Sequence, residues 1–161
     1  MNLENFKKEC QRIEEDAICS SKGHYNDSSL WLKIHYAIGL PMVVLSAWAG
    51  FDIFAKNSEY AGYLTLIITV LASLQTFIKA DDKSIQHKNS ADELNYLKNK
   101  VRRLREIKTE IFAEEKLVKE LDTLADKYSQ ITRVSQPISG RAFRKATKGI
   151  KEGQSEYLAD N

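Results

Sequence analysis

Proline and glycine are scarce in this chain, two and seven among 161 residues. Such a low supply of turn formers argues against a strand-rich fold and for long helices. Cysteine is scarcer still. Cys10 and Cys19 lie in a charged N-terminal stretch with no CxxC pair, so neither a disulfide framework nor a cysteine metal site is expected, and reduced cytoplasmic thiols are the default. The three histidines, His24, His35 and His87, are scattered. No nucleophile–base spacing, metal-ligand spacing or glycine-rich phosphate loop accompanies them. An enzyme is therefore not expected, and no cofactor is implied. Nor does a basic start lead into an early apolar run. The first apolar run begins at residue 34 behind acidic residues, so no cleavable signal is apparent and the first helix should remain as a signal-anchor. A net charge of +2 gives no reason to expect a nucleic-acid partner.

Charge itself is missing from one place. Between Ile34 and Ile78 only Asp52, Lys56 and Glu59 are charged, although 29% of the whole chain is Asp, Glu, Lys or Arg. The mean hydropathy of −0.41 conceals this partition. Two apolar segments result, 34–55 and 60–78, joined by Lys56-Asn57-Ser58-Glu59. Each approaches the roughly 20 residues needed to cross a bilayer. Neither has the polar face of a soluble amphipathic helix. The sequence therefore predicts an all-α membrane protein built on a transmembrane helical hairpin. Lys22 and Lys33 precede the first span and Lys79, Lys83 and Lys88 follow the second. The loop has only Lys56, so both termini are expected in the cytoplasm.

At 161 residues there is room for one domain. Residues 1–22 fit an amphipathic helix, with Leu3, Phe6, Cys10, Ile13 and Ala17 at three- and four-residue steps. Its polar face mixes signs, which favours packing on another helix over membrane-surface binding. Gly23 can end that helix, and Asn26, Asp27 or Ser28 can cap the next. Trp31 suits an interfacial depth. Pro41 should kink the first span or sit near its cytoplasmic end.

Each span carries a distinguishable face. Gly39, Val43, Ser46 and Gly50 form a mostly small stripe that lets helices approach closely, and packing within the hairpin is the favoured use. Asp52 is expected at the hydrated far interface, with a charged ring at a pore mouth as the alternative. In the second span Thr65, Thr69, Ser73 and Thr76 share a face. Two uses stand: the hydroxyls bond to their own backbone or a neighbouring helix, or several copies turn them toward a shared wettable pore.

After Ile78 no glycine or proline occurs until Pro137. Residues 79–134 read as a long charged helical region with an apolar seam, Leu94, Leu97, Val101 and Leu104. The seam continues in shifted register through Ile107, Ile111, Val118, Leu121, Ala125 and Tyr128. This is coiled-coil-like spacing. A fold-back, or packing along residues 1–22, is compatible with it, as is a break near Thr109–Glu115. The densest basic run, Lys98, Lys100, Arg102, Arg103 and Arg105, is either a solvated face paired with Glu93, Glu106 and Glu110 or an anion or partner contact. Residues 135–161, rich in Pro, Gly, Ser and charge, read as a flexible tail with room for a short helix around Arg141–Lys148.

Several local strings now add up. His24-Tyr25-Asn26-Asp27-Ser28-Ser29-Leu30 precedes the first span, and Gly39-Leu40-Pro41-Met42-Val43-Val44-Leu45-Ser46-Ala47 lies inside it. After the second span come His87, Ala91 and Leu94-Asn95-Tyr96-Leu97 before the basic run. Together with the order of parts, these resemble the SLATT family of two-transmembrane effector domains, over residues 1–135. The resemblance implies an effector of bacterial nucleotide-signalling or antiphage conflict systems. Such an effector oligomerises in the inner membrane, opens a pore or disrupts the bilayer, and arrests or kills the infected cell. No catalytic residues come with the resemblance. Its implied partners are lipid, further copies of itself, and a separate sensor protein or nucleotide second messenger. The alternative is a non-enzymatic membrane scaffold whose cytoplasmic helices dock a partner.

Overall fold

The computed structural model describes residues 2–54 and 60–155. Among these residues five α-helices occur in the order α1 (Leu3–Phe54), α2 (Ala61–Ile78), α3 (Ala80–Glu106), α4 (Glu114–Val134) and α5 (Gly140–Lys151), with a 3-10 turn at Lys108–Glu110. No strand occurs among the described residues. The expected interspan loop at Lys56–Glu59 lies outside them. The chain divides into two compact units. One comprises Met1–Ser28 and Gln86–Asn161, the other Ser29–Ile85.

The first unit is a helical bundle. Phe6, Cys10 and Ile13 of α1 pack with Leu97, Val101 and Leu104 of α3 and with Leu117 and Leu124 of α4. Leu94, Leu97, Val101 and Leu104 are 1% exposed or less, and each side chain so buried contributes roughly 1.5–3 kcal/mol. The long charged region thus folds back and also packs along the N-terminal helix. The turn falls where the sequence predicts a break. Ala113 adopts an extended conformation (ψ 151°), and Glu114 and Glu115 follow in the first turn of α4, where their charge complements the helix dipole. Because the register resets at this turn, Ile107, Ile111 and Val118 of the expected seam are exposed. Leu117, Leu124 and Ile131 take the buried face instead.

Two expectations for this unit are overturned. Gly23 does not end the first helix, and α1 continues through it. The buried stripe of α1 does not stop at Ala17. It continues in polar residues, Ser21, His24, Asp27 and Ser28, so packing persists where the apolar signal fades. Gly23 serves closeness instead: a Cβ there would lie 2.9 Å from Cγ2 of Ile138. The terminal segment is also more than a tail. Ser139 caps α5, its Oγ accepting from the Ala142 N–H, and Ala142, Ala146 and Gly149 are buried.

The second unit holds the two apolar stretches. The most apolar windows of α1 and of the helix beginning at Ala61 have mean hydropathy 1.7, yet only 11% and 6% of them are buried. A soluble core helix is covered by its own protein. These are not, and the large side chains Val43, Val44, Trp48, Phe51, Leu66 and Phe77 are exposed. Contiguous apolar surface of that extent requires a cover, and a bilayer supplies one for helices of this length. Pro41 lies inside α1. The Lys83 ammonium sits 4.4 Å from the Trp31 ring centroid, a cation–π contact. Lys79 ends α2 in the left-handed region (φ 48°), its N–H donating to the Gln75 carbonyl.

Candidate functional site

Thr65, Thr69, Ser73 and Thr76 are exposed along one side of α2. Each hydroxyl donates to the carbonyl four residues back: Thr65 to Ala61 at 2.8 Å, Thr69 to Thr65 at 2.8 Å, Ser73 to Thr69 at 2.9 Å and Thr76 to Ala72 at 2.9 Å. Their protons are satisfied inside the helix, while each oxygen keeps acceptor capacity. The face is therefore stable against lipid and still able to accept bonds from water or another helix.

On α1, Ser46 Oγ donates to the Met42 carbonyl at 2.7 Å. Gly39 and Ser46 border a cavity of about 500 Å³ with His35 and Gln75. Among the described residues a Cβ added at Gly39 or Gly50 would meet nothing within 4 Å, so these glycines make no close approach to them. Asp52, expected to be hydrated, is 7% exposed, and its Oδ2 has no hydrogen-bond partner among the described residues.

Within the first unit the polar stripe of α1 assembles a second constellation. His24 and His87 are 2% and 4% exposed, with their Nδ1 atoms 2.9 Å apart. One ring must donate and the other accept, so the accepting Nδ1 carries no proton, and two neutral rings here hold opposite tautomers. Burial, reinforced by His87, pushes His24 down to about 4, against the opposing pull of Asp27. Burial also lowers His87. The Asp27 carboxylate, 2% exposed, accepts from the backbone N–H and the hydroxyl of Ser139, both at 2.7 Å. That hydroxyl is the one capping α5. Tyr25 donates to Asp92 at 2.6 Å; burial and this acceptor raise the phenol to about 12. Asn26 Nδ2 donates to the Ala142 carbonyl at 3.2 Å. The string His24-Tyr25-Asn26-Asp27 thus ties α1 to α3 and α5. Sequence reading missed this role. The signal was present in the three- and four-residue spacing of Ser21, His24 and Ser28, but the residue types are polar.

The basic run is divided by the bundle. Arg105 is drawn inward, 3.1 Å from the Glu14 carboxylate on α1 and 2.6 Å from Glu106. Burial raises the Glu14 carboxyl even so, with Arg105, Arg102 and Lys98 opposing. Lys100 and Arg103 remain exposed, with the Lys100 ammonium 5.2 Å from the Tyr96 ring centroid. The five cations do not share one face.

A sequence-family model described as SMODS and SLOG-associating 2TM effector domain family 4 matches residues 11–161. Comparison with curated proteins and with solved structures gave no match.

Proposed function

Because the chain belongs to the SMODS and SLOG-associating 2TM effector (SLATT) family, we propose that it is the membrane-acting component of a bacterial antiphage conflict system. In this reading it oligomerises in the inner membrane and opens a pore or disrupts the bilayer. The observation that carries the reading is the pair of apolar helices whose apolar windows are only 11% and 6% buried. On the second of them Thr65, Thr69, Ser73 and Thr76 form an exposed hydroxyl face. Hydroxyls bonded to their own backbone can line water through their acceptor lone pairs, and copies arranged around that face would form a wettable path. Both termini lie in the cytoplasm, following the lysines that flank the spans. The chain acts without catalysis, on lipid and on further copies of itself, and a separate sensor protein or a nucleotide second messenger releases it.

Expression of the full chain should depolarise cells, read with a potential-sensitive dye. The Thr65→Leu/Thr69→Leu/Ser73→Leu variant should reach the membrane in equal amount and depolarise them less. Unchanged potential with abundant, inserted, oligomeric protein would sink the pore reading. That outcome would support a membrane scaffold, for which the exposed Ile107 and Ile111 beside the α3–α4 turn offer a docking edge.

A further inference from the structure

The end of α5 is a built turn. Gly153 takes a left-handed conformation (φ 80°). Its N–H donates to the Ile150 carbonyl and the Gln154 N–H to the Gly149 carbonyl, each at 3.0 Å. This double bond pattern is the Schellman motif, and it returns the chain against its own helix. Gly149 leaves room for the Gln154 side-chain amide, whose Oε1 would lie 2.3 Å from a Cβ there. Gln154 is thereby placed over α1, where its carbonyl and side-chain oxygens accept from the Lys22 ammonium at 3.2 and 3.5 Å.

Between α1 and this turn lies a cavity of about 340 Å³, bordered by Lys22, Lys145 and Lys148. A second cavity of about 290 Å³ shares Lys22, Tyr25 and Gln154 with it. Among the described residues, three ammonium groups, those of Lys22, Lys145 and Lys148, border the first cavity together with one carboxylate, that of Glu152. Among the described residues their charge is only partly balanced. Lys22 is held by neutral oxygens. Lys148 meets Glu152 only at 3.7 Å, with both side chains more than half exposed, where such pairs are weak. Lys145 has no partner among the described residues. Concave space of this size suits a small molecule, and lysines act on phosphate as point charges.

We propose that this cavity binds a small phosphate-bearing anion, with Lys22, Lys145 and Lys148 as its charge contacts. The site differs from the basic run of α3, whose cations the bundle disperses. Asp27 and Ser139 fix the start of α5, and Gly153 fixes its end. The lysines are therefore presented by an ordered frame and not by a free tail. The inference uses residues of the first unit alone, so it stands or falls independently of membrane permeabilisation.

The test is calorimetric titration of the purified full chain, in an uncharged detergent, with inorganic pyrophosphate. Wild type should bind saturably. Lys145→Gln/Lys148→Gln should bind at least tenfold more weakly with unchanged circular dichroism, while Lys148→Arg should retain binding. Lys7→Gln/Lys119→Gln, which removes two exposed charges elsewhere, should leave binding unchanged. Short-chain phosphatidylglycerol and phosphatidylcholine distinguish the source of the phosphate. A headgroup ligand requires phosphatidylglycerol to bind with the same lysine dependence and more tightly than pyrophosphate; a soluble ligand requires the reverse order. Absence of saturable binding by both pyrophosphate and phosphatidylglycerol overturns the proposal. Equal weakening by the two double variants also overturns it, because it would mark general charge attraction.

Discussion

His24 and His87 illustrate how single residues can hold helices together without apolar surface. Their contact needs at least one of the two Nδ1 atoms to be free of a proton, and burial favours the neutral form of both rings. Each ionises less readily folded than in an unfolded chain, where a histidine titrates near 6.5, so acid favours unfolding. Their contribution is fully present above about pH 6.5 and is lost as pH falls toward 4, the value to which His24 is lowered. For His24 the loss is on the order of 2–3 kcal/mol, and His87 shifts stability in the same direction. Thermal melts followed by circular dichroism should show it, and His24→Gln/His87→Gln should flatten that part of the profile. Asp27 is tested separately. Asp27→Ala removes both acceptors of Ser139, each hydrogen bond to a charged group contributing about 1.5–3 kcal/mol. Limited trypsin digestion should then cut within 141–151 much faster than in wild type. At Gly23 a larger residue meets Ile138, and Gly23→Leu should destabilise by about 1–3 kcal/mol.

The elements were legible to the extent that their signals were apolar. The two spans, the Leu94–Leu104 seam and the break before Glu114 follow from hydropathy and helical spacing alone. α1 was divided too early, because its buried stripe turns polar after Ala17 and a search for apolar periodicity stops there. α5 read as tail for a related reason: its buried positions are Ala142, Ala146 and Gly149, too small to mark a face among five cations. The partners of the small stripe on α1 were beyond sequence, since spacing shows a face and not what meets it. Lys79 adds a feature no pattern announced, a non-glycine residue in the left-handed region at the end of α2. That conformation costs about 1–2 kcal/mol for a residue with a Cβ. Lys79→Gly should therefore raise stability by about 0.5–1 kcal/mol, the greater freedom of glycine in the unfolded chain offsetting part of the gain. Unfolding of the detergent-solubilised chain checks this.

For the molecule as a whole, the partition of charge is the governing fact. One unit buries leucines behind a charged exterior and completes its packing with histidines, an aspartate and a capping serine. The other exposes valine, tryptophan and phenylalanine and places its hydroxyls on one face of α2. Membership of a two-transmembrane effector family explains why both kinds of surface occur in one chain, one suited to lipid and one to water. The proposed action depends on copies meeting in the bilayer, and reconstitution tests it most directly. Full-length chain in liposomes loaded with a small fluorescent dye should release the dye. The Thr65→Leu/Thr69→Leu/Ser73→Leu variant, inserted at equal density and with the same oligomer mass, should release it several-fold more slowly. Vesicles that stay sealed around inserted, oligomeric wild-type protein would contradict the account.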